Sequence, residues 1–141
     1  MTIEEINRFC QNSFIDYLGI EFISYGEDFI EARMPIDGHK LQPMGLLHGG
    51  ASLALAETVA SAGSFLLVDE TKFHVLGLQV TGNHVSTLSS GEVTGRAEII
   101  HKGNSTHVWD VKITSKKGVL ISVARVTNII IDRNQKDLNN A

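Results

Sequence analysis

Residues 45–68, GLLHGGASLALAETVASAGSFLLV, hold the key to the fold. A run of this length, without Pro and rich in Ala and Leu, favours one long helix over a buried strand. Small residues recur on all its sides, so other elements are expected to wrap it. The run opens on His48-Gly49-Gly50 and carries a single acid, Glu57. Burying an ionised carboxylate without a partner is costly or drives its pKa upward. Gln or Leu would serve a purely structural helix better, which makes Glu57 the first functional candidate. The competing reading is a structural carboxylate tied to a backbone N–H.

On the N-terminal side, residues 37–47 read as an irregular connection holding His39, Lys40, Gln42 and Pro43. Loops that enter a buried helix often carry binding groups. Before it, residues 20–25 and 29–36 are short β-type runs around Gly26-Glu27-Asp28, the pattern of a hairpin. Ile30, Ala32, Met34 and Ile36 alternate with Glu31, Arg33 and Pro35, giving one dry and one wet face. At the start, Thr2 and Glu5 have the spacing of a capping box. Ile3, Ile6, Phe9 and Cys10 mark the buried face of the helix it opens, and residues 14–19 read as the turn out of it.

On the C-terminal side, residues 69–73 are a polar break. Strand-like stretches follow at 74–85, 92–101, 107–115 and 119–132, separated by breaks at 86–91, 102–106 and 116–118. Connections this short predict an antiparallel meander. One α+β domain over residues 1–132 is expected, a curved antiparallel sheet of about six strands around one helix. Residues 133–141 form a polar tail expected to be disordered.

Composition narrows the function classes. A net charge of −4 lacks the basic excess of a nucleic-acid binder. A single cysteine, Cys10, allows no internal disulfide and suits a reducing cytoplasm. The first ten residues carry acids where a secretory leader carries bases. Residues 46–68 are long enough to span a bilayer, but Glu57, His48 and the glycines count against a membrane role. None of the six histidines falls in a metal-ligand pattern, so no metal is expected. Gly50-Ala51-Ser52-Leu53-Ala54 is not the Gly-x-Ser-x-Gly elbow of serine hydrolases.

Gln42-Pro43-Met44-Gly45-Leu46-Leu47-His48-Gly49-Gly50-Ala51-Ser52, followed by Ala56-Glu57, resembles the signature of hotdog-fold acyl-CoA thioesterases with a catalytic acid on the central helix. Within that family the pattern is similar to the 1,4-dihydroxy-2-naphthoyl-CoA hydrolases of menaquinone synthesis. The likeness extends through Val75-Leu76-Gly77-Leu78, Asn83-His84-Val85 and residues 103–109, and so covers most of the chain. It implies a homodimer with active sites at its interface, often paired into a homotetramer, and an acyl-CoA substrate. Coenzyme A enters only as part of that substrate, and no cofactor is implied. By resemblance Glu57 is general base or nucleophile, Gly49 an oxyanion donor, Gln42 an aid at the reacting centre and Ser61 a hydroxyl that positions water. His48 either touches the thioester oxygen or braces the loop. The nucleotide contacts correspond to Gly77, to His84, Val85, Ser86 and Thr87, and to His101, Lys102, Gly103, Asn104, Ser105 and Thr106. Some relatives carry Arg where this chain has Ser86 and Ser105, with Lys102, Arg96 and Lys72 as possible substitutes.

Spacing gives separate support for a shared site. Gly49 and Glu57 lie eight residues apart, about 12 Å along a helix axis, too far to meet at one carbonyl from the same helix. Two such helices crossing antiparallel about a two-fold axis bring Gly49 of one against Glu57 of the other. A hotdog dehydratase would carry a His- and Pro-rich loop before the helix. A non-catalytic acyl-CoA-sensing module is the alternative from a different class, and thiol release separates it from an enzyme. The pocket for the acyl group is expected between the helix and the 37–47 loop.

Overall fold

Alternation along each strand decides which side faces the core. In the computed structural model, which describes residues 1–134, Ile30, Ala32, Met34 and Ile36 are all buried while Arg33 and Pro35 are exposed. The same alternation buries Trp109, Val111 and Ile113 of the fifth strand. The strands are β1 (Glu21–Tyr25), β2 (Phe29–Ile36), β3 (Phe73–His84), β4 (Gly91–Lys102), β5 (Thr106–Ser115) and β6 (Leu120–Asp132). The long helix α3 (Gly49–Leu67) follows α1 (Ile3–Phe9) and the one-turn helix α2 (Phe14–Tyr17). Residues 14–19, expected as a simple turn, thus contain a helical turn capped by Ser13. Thr2 and Glu5 form the expected reciprocal cap.

All six strands join one antiparallel sheet in the order β1-β2-β4-β5-β6-β3. The expected meander holds only for β4, β5 and β6. β3 pairs with β6 at the far edge and not with β4. Reaching β4 from there means crossing three inter-strand spacings, about 14 Å, and six extended residues span about 20 Å. The connection between β3 and β4 is therefore long enough to cross the sheet end. It is pinned on the way, because Leu47 N–H donates to the Leu88 carbonyl at 2.8 Å just before α3 begins.

α3 lies across the sheet with Ser52, Leu55, Ala56, Val59, Ala60, Gly63 and Ser64 buried. These positions repeat at the three- and four-residue steps of one helical stripe. Gly63 admits the Trp109 indole, since a Cβ there would stand 2.6 Å from the ring. The helix is not wrapped on all sides as expected. Leu53, Ala54, Glu57, Thr58, Ser61 and Phe65, on the other side, are only half-buried. A single sheet has one face to offer, and the opposite side of α3 meets α1, α2 and the edge strand β3 without being enclosed by them. Phe9, expected to be buried on α1, is 72% exposed and stacks on Phe65 with ring centroids 5.9 Å apart.

Arg133, counted with the polar tail, is anchored: its N–H donates to the Lys72 carbonyl and its Nε to the Glu70 carbonyl. Residues 135–141, where disorder is expected, lie outside the described residues.

Candidate active site

Two polar features sit about 12 Å apart along α3, one at its tip and one near its middle. At the tip His48 is the N-cap, and its Nδ1 accepts the Gly50 N–H at 2.8 Å. Through this bond His48 braces the helix entrance, with Nδ1 as the unprotonated ring nitrogen. Gly49 N–H donates to nothing among the described residues. It points from the positive end of a nineteen-residue helix, where a developing anion is favoured. A Cβ on Gly49 would come 2.6 Å from His84 Nε2, so glycine is what lets the strand end approach. His84 is held in turn by Ser122, with Nδ1 and Oγ 2.8 Å apart.

The loop entering α3 is tightly tied. Gly45, at φ +81°, donates its N–H to the Gln42 carbonyl, and Gln42 N–H donates to the Leu46 carbonyl. The Gln42 side-chain oxygen accepts the Met44 N–H. His48 N–H donates to the carbonyl of Lys40, a residue buried with its ammonium on Asp37 at 2.7 Å. That ammonium, with the His39 N–H, holds the Asp37 carboxyl below the usual carboxylate range. Gln42, Gly49, Ser52, His84, Ser86 and Thr87 border one small cavity of about 140 Å³.

Near the middle of the helix, Glu57 is half-buried and not enclosed as its apolar neighbours suggest. Its carboxylate packs against Gly77 of β3, where any Cβ would collide with Oε1. No donor among the described residues reaches it. Glu57 and Ser61, one turn apart on the same side, border a second cavity of about 440 Å³. Its walls include Ile6, Phe9, Phe14, Phe22 and Phe65. This larger cavity lies between the N-terminal helices and α3, while the small one at the helix tip is bordered by Gln42 and Leu47 of the 37–47 loop. Within one chain Gln42, His48 and Gly49 share one end, Glu57 and Ser61 the other.

The residues aligned with nucleotide contacts also divide. His84 pairs with Ser122, whereas Gly77 pairs with Asn128, which faces His107, which faces Lys102. Seven residues of strand, about 23 Å, therefore separate the His84–Thr87 group from Gly77 and the 101–106 hairpin. The hairpin is closed by Gly103 N–H donating to Thr106, while Ser105 accepts the Ile130 N–H. One chain does not bring all eleven residues together, because they sit at opposite ends of the sheet. Of the cations weighed for the nucleotide, Arg96 is held by Glu31 and Glu98 at 2.7 and 2.8 Å and lies over the Phe29 ring. Lys72 is exposed beside Asp69.

Residues 44–122 match the sequence profile of the Thioesterase superfamily. The chain belongs to that family. Its six-stranded antiparallel sheet packed on one helix is the hotdog fold, and it is a thioester hydrolase. It is 37% identical to 1,4-dihydroxy-2-naphthoyl-CoA hydrolase of Escherichia coli over 93% of this chain and 96% of that one. A thioesterase of Pseudomonas aeruginosa, solved as a Gln-to-Ala mutant, superimposes with a TM-score of 0.91 at 40% identity, covering 94% of this chain and 95% of that one. A Staphylococcus aureus thioesterase, 44% identical, was solved with a Glu-to-Ala and, separately, a Gln-to-Ala substitution. The Glu-to-Ala structure matches with a TM-score of 0.83 over 84% of this chain and 98% of that one.

One feature of this thioesterase escaped the sequence reading. Ser64, His107, Trp109 and Asn128 are buried polar residues joined by hydrogen bonds between α3, β5 and β6. A signal existed: Ser64 falls on the buried stripe of α3, and His107 shares the inward face of β5 with Trp109. Polar residues on an inward register are worth pairing on sight.

Proposed function

We propose that the chain hydrolyses an aryl- or acyl-CoA thioester to free acid and coenzyme A, as a homodimer with composite sites. Each site combines Gly49 and Gln42 of one protomer with Glu57 and Ser61 of its partner. The observation that carries this is the division of the polar groups along α3, which leaves neither half competent alone.

β3 supports the dimer. It is a twelve-residue edge strand, its outer edge unpaired among the described residues and bearing exposed Leu76, Leu78 and, just beyond, Val85. Long apolar edges of this kind invite pairing with another strand. α3 runs antiparallel to β3, with Gly49 near His84, Leu53 near Gly82 and Glu57 near Gly77. Antiparallel pairing of two β3 edges would bring the Glu57 end of one chain towards the Gly49 end of the other. The same pairing would join the two separated groups of nucleotide contacts, and of Lys72, Arg96 and Lys102 it is Lys102 that has no ion-pair partner among the described residues. Two such dimers back to back give the homotetramer, and the single Cys10 suits a cytoplasmic enzyme.

In the site, the Gly49 N–H receives the negative charge that develops on the thioester oxygen, a donor worth about 3 kcal/mol. Glu57 activates water or attacks directly. Gln42 and Glu57 are fifteen residues apart, the same separation as the Gln and Glu replaced in the Staphylococcus protein. The aromatic cavity beside Glu57 suits an aryl group, and 1,4-dihydroxy-2-naphthoyl-CoA, the substrate in the name of the Escherichia relative, leads to menaquinone synthesis. Thiol release from a panel of aryl- and alkyl-CoA esters, read with a chromogenic disulfide, tests the proposal. Turnover highest on aryl-CoA is expected. Saturable binding without thiol would mark a non-catalytic module instead, and a hydratase product would mark a dehydratase.

A further inference from the structure

The buried array behind Ser61 has its hydrogen-bond directions set by donor capacity alone. The Ala60 carbonyl only accepts, so the Asn128 group 3.2 Å from it is the NH2. The same nitrogen donates to Ser64 Oγ at 2.9 Å. Trp109 Nε1, which can only donate, reaches that hydroxyl oxygen at 2.8 Å. With two donors aimed at its oxygen, Ser64 gives its own proton to His107 Nδ1 at 3.0 Å. His107 is thus the neutral ring protonated on Nε2. The remaining Asn128 atom, Oδ1, is an acceptor, and the Ser61 hydroxyl donates to it at 3.3 Å. Ser61 has no proton left, and its oxygen offers only lone pairs to the cavity it shares with Glu57.

We propose that Asn128, oriented by Ala60, Ser64 and through Ser64 by Trp109 and His107, is a positioning residue that makes Ser61 an acceptor for the attacking water. The inference rests on the roles given to Glu57 and Ser61 above. A water between Glu57 and Ser61 then directs both protons to acceptors and keeps a lone pair for the acyl carbon. As the water oxygen bonds to that carbon, the carbonyl pair moves onto oxygen and one proton passes to Glu57. Collapse breaks the C–S bond, and the departing thiolate takes the proton back from Glu57. Thioester and water are consumed, and acid and thiol are released. A Ser61 free to turn its proton toward the cavity would compete for the lone pair that must attack. The linked bonds of the array suppress that rotation, because reversing one orphans the others.

A double-mutant cycle on kcat tests this, with benzoyl-CoA and decanoyl-CoA as probes and the full chain as the enzyme. Ser61→Ala and Asn128→Ala are each expected to lower kcat about tenfold with KM nearly unchanged, and the double variant to lower it no further. Ser61→Thr, which keeps the hydroxyl, is expected to lose less kcat than Ser61→Ala. Independent effects that multiply to about a hundredfold would overturn the proposal, as would an Asn128 variant with undiminished kcat. Should Asn128→Ala fail to fold, Asn128→Leu keeps the volume without the amide, and the cycle runs on that pair. Glu57→Ala separates the two readings. If it stays active, the assignment of Glu57 fails; if it is dead while the other effects multiply, only the present inference fails.

Discussion

The two sides of α3 are built on opposite terms. On the sheet side the buried polar groups pair with one another: Ser64 takes Trp109 and Asn128 and gives to His107. On the open side the Glu57 carboxylate and the Gly49 N–H are unpartnered among the described residues. Satisfied buried groups hold one arrangement and are costly to break. Unsatisfied groups at the edge of an apolar cavity are available to a substrate. The helix therefore separates what holds it from what it does, residue by residue, around its own axis.

Changes on the open side should alter rate and spare stability, while those on the sheet side, Asn128 apart because it reaches through to Ser61, should do the reverse. Glu57→Ala should give the largest effect, a fall in kcat of about a thousandfold, with a thermal midpoint equal to or above that of the parent. Thiol release and a melting curve on one preparation check both halves of the claim. Gly49→Val comes next. Its side chain meets His84 and crowds the helix tip, so kcat should fall about a hundredfold, and an unchanged kcat would remove the tip from the mechanism.

Gly63→Val tests the sheet side. Its Cβ would press on the Trp109 ring, costing about 1–3 kcal/mol by denaturant titration, with turnover per folded molecule retained. The smallest effect is a pH dependence. Burial, followed by the charges of Lys102 and His101, lowers the His107 pKa from the ordinary 6.5. The unfolded chain then takes up a proton at a higher pH than the folded one. Stability from this group is complete above 6.5 and is lost as pH falls through the lowered value. Urea midpoints measured across that window should decline in the parent and decline less in His107→Gln.

Much of this was readable in advance. The alternation of Ile30, Ala32, Met34 and Ile36, the Thr2–Glu5 cap and the helix after His48 are local patterns with local causes. Glu57 stood out because an acid among Ala and Leu has no local explanation. Phe9 misled, because an apolar residue at helical spacing reads as core whether or not a partner lies opposite. The meander misled as well, since the length of the β3–β4 connection is compatible with a neighbour or with a crossing. The Asn128 array was missed because its members come from three elements distant in sequence.

Short-range order, in this protein, follows from the chain: which segments are helix or strand, which way their side chains alternate, and which acid is out of keeping with its setting. Those properties depend on steric and hydrogen-bonding preferences within a few residues. The order of strands, the open face of α3, the cavity under α1 and α2, and the direction of the Ser61 proton came from packing. Each depends on which distant groups share a boundary, and burial forces every donor there to find the acceptor that the folded arrangement supplies.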